Sequence, residues 1–145
     1  PVAQGYYCDM TRSTVVGVRP SDAQREVLEG SVDVVESIIG EIEPGRRLSD
    51  LHAAGTRAIA RRGGGMSGRS AMIPFFGHSL GLDCEAPFIT SYADELVAPG
   101  MVLAIECFLG GDRGEGAGFE HVLHVGETGI EILTAAAKAR PWLEN

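Results

Sequence analysis

Apolar and polar residues change spacing along the chain, and the spacing names the elements. Residues 5–16 are rich in β-formers, with Tyr6, Tyr7, Thr11, Thr14, Val15 and Val16, and predict a strand. Arg19-Pro20 interrupts it. Ser21 followed by Gln24 is the signature of a capping box at a helix start. Leu28, Val32, Val35, Ile39 and Ile42 then recur at intervals of 4, 3, 4 and 3, one apolar stripe of a helix that Pro44-Gly45 should end. A second helix is predicted from Ser49 or Asp50, with Leu51, Ala54, Ala58 and Ile59 as its buried stripe. Arg61 and Arg62 suit its C-terminus, where the helix dipole favours positive charge.

The second half changes period. Residues 63–68 (Gly-Gly-Gly-Met-Ser-Gly) have no periodicity and read as a mobile loop. The Lys-Ser/Thr ending of a phosphate-binding loop is missing. A short apolar segment at 71–76 leads into Gly77-His78-Ser79-Leu80-Gly81, and 87–98 reads as irregular surface sequence. After a Pro99-Gly100 turn, residues 101–109 are nearly all apolar, as in a strand buried on both faces. A Gly-rich loop at 110–118 precedes a strand at 119–125. Gly126-Glu127-Thr128-Gly129 then turns the chain into residues 130–133 as a hairpin. With no internal repeat, helices early and antiparallel strands late, the fold class is α+β.

Composition narrows the classes. The 145 residues are 44% hydrophobic and 22% charged, which suits one globular domain. No apolar run approaches the ~20 residues of a membrane helix. Twelve basic against 20 acidic residues give a net charge of −8. Such a chain is a poor partner for nucleic acid, whose phosphates need Lys and Arg. The basic cluster of Arg57, Arg61 and Arg62, with Arg69 beyond, reads as a solvated helix end. Cys8, Cys84 and Cys107 are odd in number and widely spaced. They contain no CxxC pair, so neither a disulfide framework nor a thiolate zinc site is expected, and a reducing, cytoplasmic setting fits. Twenty glycines are about twice the usual share. The sequence opens on Pro1 without a Met or a signal-peptide pattern, and is expected to be a piece of a longer polypeptide.

Acid inside apolar sequence is the chemical anomaly. Asp9 falls in the first predicted strand, Glu106 in Val102-Leu103-Ala104-Ile105-Glu106-Cys107-Phe108, and Glu120 in Gly118-Phe119-Glu120-His121-Val122-Leu123. A carboxylate in a buried strand is costly unless it is paired or bound to metal. One such residue is ordinarily an ion pair. Three of them, with His78 flanked by glycines, suit Mn²⁺, Fe²⁺, Co²⁺ or Zn²⁺.

Four segments carry a resemblance in chain order. They are Gly5-Tyr6-Tyr7-Cys8-Asp9-Met10-Thr11-Arg12, Gly77-His78-Ser79-Leu80-Gly81-Leu82, the run from Leu96 through Pro99-Gly100-Met101 to Glu106, and Gly118-Phe119-Glu120-His121-Val122-Leu123-His124-Val125 with Gly129, Leu133 and Thr134. Together they resemble the C-terminal, larger part of the pita-bread catalytic domain shared by methionine aminopeptidases, Xaa-Pro aminopeptidases, prolidases and creatinase. The resemblance implies two helices packed on a curved, mostly antiparallel sheet, incomplete at its N-terminus. It implies Asp9, His78, Glu106 and Glu120 as ligands of two divalent ions, with Glu120 bridging them. Glu106 would also help shuttle the proton from a bridging water, whose hydroxide attacks a peptide or amide carbonyl. A dipeptide-like or other small substrate, a homo-oligomer and the remainder of the fold are the implied partners.

The sequence departs from the family at three places. The first metal Asp would lie upstream of Pro1, so residues 1–145 are expected to be one partial catalytic domain. Pro74 stands where a substrate-binding His is usual, and Cys84 where another active-site His precedes Glu-x-Pro. Cys84 is therefore a candidate substrate contact or base, or else a small apolar filler. Two alternatives accompany the hydrolase reading: a metal-dependent lyase of the dimethylsulfoniopropionate-lyase kind, and a non-catalytic binding module. The Phe76-Gly77-His78-Ser79 run is shared with creatinase, but the retained carboxylates oppose its metal-free route. Among the other residues, His52 is expected at the surface. His121 should face away from Glu120, and His124 should be too distant for co-ligation. Tyr6, Tyr7, Phe75 and Phe76 are expected as core or pocket wall, and Trp142 as an anchor for the tail or a contact with a partner subunit.

Overall fold

The computed structural model describes residues 2–62, 73–135 and 139–144. Its elements are β1 (Val2–Ala3), β2 (Tyr6–Tyr7), α1 (Asp22–Ile39), α2 (Leu48–Arg61), β3 (Gly77–Leu80), β4 (Cys84–Phe88), β5 (Val102–Gly110), β6 (Gly116–Val125), β7 (Ile130–Ile132) and a 3-10 turn at Pro141–Glu144. The loop expected at 63–68, Arg69 and the start of the apolar segment at 71–76 lie outside the described residues. Strands β3 to β7 form one antiparallel sheet in the order β4-β3-β5-β6-β7. No described helix is long and apolar enough to cross a membrane.

Helix α1 begins as its capping box dictates. The Ser21 hydroxyl accepts from the Gln24 amide (3.3 Å), and the Gln24 side chain accepts from the Ser21 amide (2.9 Å). The helix ends at Ile39, earlier than Pro44-Gly45 suggested, and Ile42 is buried in the turn that follows. Helix α2 starts at Leu48. The central strands explain the layering. Alternate residues of β5 (Leu103, Ile105, Cys107 and Leu109) are almost fully buried in one cluster with Val27, Val34, Val35 and Ile38 of α1. Helix α1 thus covers one face of β5 and β6, and α2 packs beside it. Ala104, Val122 and Leu80 form a separate small cluster on the opposite, open face. Trp142 is buried, with its indole N–H on Glu29, and Arg140 ties the tail to Glu29, Asp33 and Glu36 of α1. The basic residues at the end of α2 are engaged: Arg57 with Glu41, Arg61 with Ser37 and Arg62 with Asp33.

Two expectations need correction. The strand predicted at 5–16 is regular only at Tyr6–Tyr7, which pairs with β1. Beyond it the chain runs extended beside β6 through the single bridge Arg12↔Phe119. Ser13 explains the irregularity, because its hydroxyl accepts from the Gly118 amide and donates to the Gly118 carbonyl, replacing ladder bonds with side-chain bonds. Asp9 is accordingly exposed and bears no burial cost. Residues 87–98, expected at the surface, instead end a short edge strand and then bury Ile89, Ala93 and Val97. Strand β4 (Cys-Glu-Ala-Pro-Phe) lacks apolar alternation, and its proline is tolerated because an edge strand leaves one side unpaired.

A candidate metal site on the open face of the sheet

Register brings three distant segments to one face. Glu106 of β5 pairs directly with Glu120 of β6, and His78 of β3 pairs with Ala104, two residues from Glu106. Cross-strand partners share a face and alternate residues return to it, so His78, Glu106 and Glu120 project together from the open side. All three are buried, at 3%, 7% and 1% exposure. Gly77 makes the approach of β3 feasible. Its φ is +148°, and a Cβ there would lie 2.1 Å from the Ala104 carbonyl oxygen, so any other residue would push β3 from β5.

The irregular 8–15 segment completes the cluster. Asp9, His78 and Glu120 each offer a ligand atom, and these atoms all lie within 4.8 Å of one another. The Glu106 carboxylate comes 3.6 Å from His78 Nε2. On the far ring nitrogen, His78 Nδ1 lies 3.0 Å from the Ser79 carbonyl. A proton on Nδ1 satisfies that carbonyl and leaves the Nε2 lone pair facing the carboxylates, the tautomer a ligating imidazole requires.

Glu120 is held from behind. Thr11 donates its hydroxyl to Glu120 Oε2 (2.9 Å), and the Glu120 amide donates to the Thr11 carbonyl (3.1 Å). Arg12 donates to the Glu120 carbonyl and to that of Thr11, while its guanidinium rests 4.3 Å over the Phe119 ring. Thr11 and Arg12 lie within a segment that sequence reading singled out, but their grip on Glu120 depends on the register of an irregular bridge. The other carboxylate oxygen, Glu120 Oε1, is buried with no hydrogen-bond partner.

Electrostatics express the same crowding. Burial, with Asp9 and Glu106 adding repulsion, raises the Glu120 carboxyl to about 7 against the opposing pull of Thr11 and Arg12. Burial and Asp9 also raise Glu106, while His78 works the other way. Cys84 is exposed rather than a buried filler, with Sγ 3.3 Å from His78 Nδ1. Partial desolvation and the surrounding carboxylates raise its thiol. Cys107 points into the apolar core, where burial raises its thiol to about 12. His121 turns from the cluster to Phe119, Arg12 and Thr134, and burial beside Arg12 lowers it to about 4. His124 pairs with Val102 and Glu131, outside the cluster. His52, expected at the surface, is half-buried with its ring 5.0 Å from Phe76. Of the four aromatics expected as core or wall, Phe76 is buried while Tyr6 and Tyr7 are exposed.

Buried polar atoms without partners are rare in folded proteins. Here one belongs to Glu120, whose ligand atom lies within 4.8 Å of those of His78 and Asp9. A divalent cation would satisfy Oε1 and screen the repulsion, and carboxylates with one imidazole are donors that Mn²⁺, Fe²⁺, Co²⁺ and Zn²⁺ accept. The residues present therefore fit such an ion.

Known proteins resemble this chain in sequence and fold. The chain is 30% identical to Xaa-Pro aminopeptidase 1 of Streptomyces coelicolor over 118 residues, covering 70% of this chain and 24% of that relative. It is 26% identical to the methionine aminopeptidase of Chlamydia pneumoniae, covering 92% of this chain and 51% of that relative. The solved prolidase from Pyrococcus furiosus superposes with a TM-score of 0.79 at 28% identity, over 93% of this chain and 39% of that one. The chain thus spans about half or less of the relatives it matches, and its two helices and antiparallel sheet are the corresponding part of the pita-bread fold. The model of metallopeptidase family M24 matches residues 1–127, and the chain belongs to that family.

Proposed function

We propose that the full-length protein is a metal-dependent hydrolase that cleaves a peptide or amide bond in a small substrate, of the Xaa-Pro aminopeptidase or prolidase kind. The observation that carries this reading is the convergence of Glu120, buried with its Oε1 unpartnered, with Asp9 and His78. Asp9, His78, Glu106 and Glu120 would hold the divalent ions. Bound ions of this kind polarise a carbonyl and make water a nucleophile near neutral pH.

The chain's own groups do the rest. The Ser79 carbonyl fixes the His78 ring, so Nε2 needs no reorganisation to ligate. Thr11 occupies Glu120 Oε2 and leaves Oε1 for the ligand side. Glu106 binds a proton more readily than an exposed carboxylate, which suits a group that accepts one from water and returns it to a leaving amine. Cys84, with Sγ 3.3 Å from His78 Nδ1, would be the thiol that touches substrate. That contact, with Pro74 in place of an imidazole, favours as second reading a lyase of the same superfamily.

Elemental analysis of the full-length protein, with hydrolysis of Xaa-Pro dipeptides, tests the proposal. Retained metal and cleavage abolished in Glu106→Gln are expected; a protein that takes up no divalent ion would overturn it.

A further inference from the structure

Strand β7 ends at Ile132, and the next two residues close over β6 just past Glu120. The Leu133 amide donates to the Val122 carbonyl (2.8 Å). At the following residue a side chain takes over from the backbone. The Thr134 hydroxyl accepts from the Val122 amide (3.1 Å) and lies 2.7 Å from His121 Nδ1. Arg12 Nη2 approaches the same ring nitrogen at 3.3 Å. Thr134 lies beyond residues 1–127, the part that matches the family.

Counting protons gives these contacts a direction. A guanidinium only donates, and a hydroxyl has one hydrogen. Thr134 Oγ1 accepts from Val122, so its hydrogen is free for Nδ1. With Arg12 aimed at the same atom, Nδ1 carries the lone pair and the ring proton sits on Nε2. A proton on Nδ1 would meet the Arg12 N–H groups head-on. His121 is 7% exposed, so water does not readily replace either donor.

The contacts end on Glu120. Arg12 Nη1 donates to the Glu120 and Thr11 carbonyls, and Thr11 in turn gives its hydroxyl to Glu120 Oε2. A guanidinium is a rigid planar fork. The Phe119 ring, 4.3 Å away, sets its plane, and holding Nη2 at His121 then fixes where Nη1 points.

We propose that Thr134 is a positioning residue for the metal site. Through His121 and Arg12 it holds the backbone of Thr11 and Glu120 so that the Glu120 carboxylate faces the candidate ions. The proposal rests on the metal-binding part of the hydrolase reading and on nothing about the substrate.

Two measurements on the full-length protein test it: Zn²⁺ affinity by competition with a metal-sensitive dye, and amide hydrogen exchange of the metal-free protein. Thr134→Val should weaken Zn²⁺ binding about tenfold, the low end of the ~10–100-fold carried by groups behind a ligand. It should also speed exchange at the Glu120 amide, which donates to the Thr11 carbonyl, while Val35 and Ile38 of α1 stay protected. Thr134→Ser should restore both. Arg12→Lys keeps the charge and loses the fork, so it should weaken binding as well, and Thr134→Val should then add nothing further. Wild-type affinity and exchange in Thr134→Val, or a loss that simply adds to that of Arg12→Lys, would overturn the proposal and leave Thr134 as a closing turn. A protein that takes up no Zn²⁺ but shows the exchange pattern would keep Thr134 as the brace of Glu120 and remove the metal reading.

Discussion

The two faces of strands β5 and β6 are buried to almost the same degree and are built on opposite principles. Toward α1, Leu103, Ile105, Cys107 and Leu109 share one apolar cluster with Val35 and Ile38. On the open face Glu106, Glu120 and His78 are 7%, 1% and 3% exposed, yet the two carboxylates repel each other and one carboxylate oxygen is left unpartnered. The helix-covered face stores stability through removal of apolar surface from water. The open face costs stability and is worth keeping only for what it binds. Burial alone does not separate core from site; what separates them is whether each buried polar atom is satisfied.

Breaking the open face should cost function and spare folding. Glu120→Gln keeps the shape and removes the charge. Turnover by the full-length protein should fall by about 10³-fold or more, a loss typical of removing a principal electrostatic group. Metal content should drop with it, while the metal-free variant melts no lower than wild type. A metal-free variant that unfolds more easily would show that Glu120 serves the fold. Breaking the covered face should do the reverse. Leu103→Ala opens a cavity at a fully buried position and should cost about 2–5 kcal/mol in denaturant unfolding. Metal affinity should be unchanged at temperatures where the variant is folded.

The pH dependence of stability sharpens the contrast, because neighbouring residues on the two faces titrate in opposite senses. Glu120 is raised to about 7 in the folded protein, so the folded state holds a proton that the unfolded chain has released. Its contribution to the metal-free protein is present below the unfolded value of about 4.3 and is lost as pH rises through about 7. His121 is lowered to about 4, so the unfolded chain takes a proton that the folded state refuses. Its contribution is present above about 6.5 and is lost as pH falls through about 4. Each change is on the order of 3–4 kcal/mol across its window. Chemical denaturation of metal-free Glu120→Gln should lose the decline between pH 5 and 7, and His121→Gln should lose the decline below pH 6. Identical profiles for wild type and both variants would contradict these assignments.

How much of this was legible depends on whether local spacing carried the information. The capping box at Ser21 and the stripe through Leu28 and Ile39 are local, and α1 starts where they say. The apolar run around Glu106 identified a strand buried on both faces, as β5 is. Glu106 and Glu120 stood out because a charge breaks an apolar run wherever the run folds. Strand β4 was missed because Cys-Glu-Ala-Pro-Phe has no period and is held by its neighbour β3. The extended chain around Asp9 was read as a strand because its composition is β-like, whereas Ser13 and Arg12 divert its hydrogen bonds to side chains. The placement of Phe88 beside His78 was not legible either, since it follows from the His78↔Phe88 register.

The smallest expected effect falls on Thr11, which stands between the two designs. Its hydroxyl is a satisfied, part-buried donor, as a fold requires, but its acceptor is the carboxylate of the candidate site. If Thr11 served packing alone, Thr11→Val would be nearly isosteric and metal affinity would not move. If it holds Glu120 with Oε1 aimed outward, losing the donor frees the carboxylate to rotate and leaves a second buried oxygen unpartnered. Such a loss costs about 1–3 kcal/mol. Much of that cost should appear in binding, as a metal affinity about tenfold weaker, because an ion can then satisfy only one of two orphaned oxygens. Thr11→Ser, which returns the hydroxyl without the methyl, should restore most of the affinity. Competition titration with a metal-sensitive dye reads the difference without any assay of turnover. Equal affinities for the Val and Ser variants would move Thr11 to the side of the covered face, as packing.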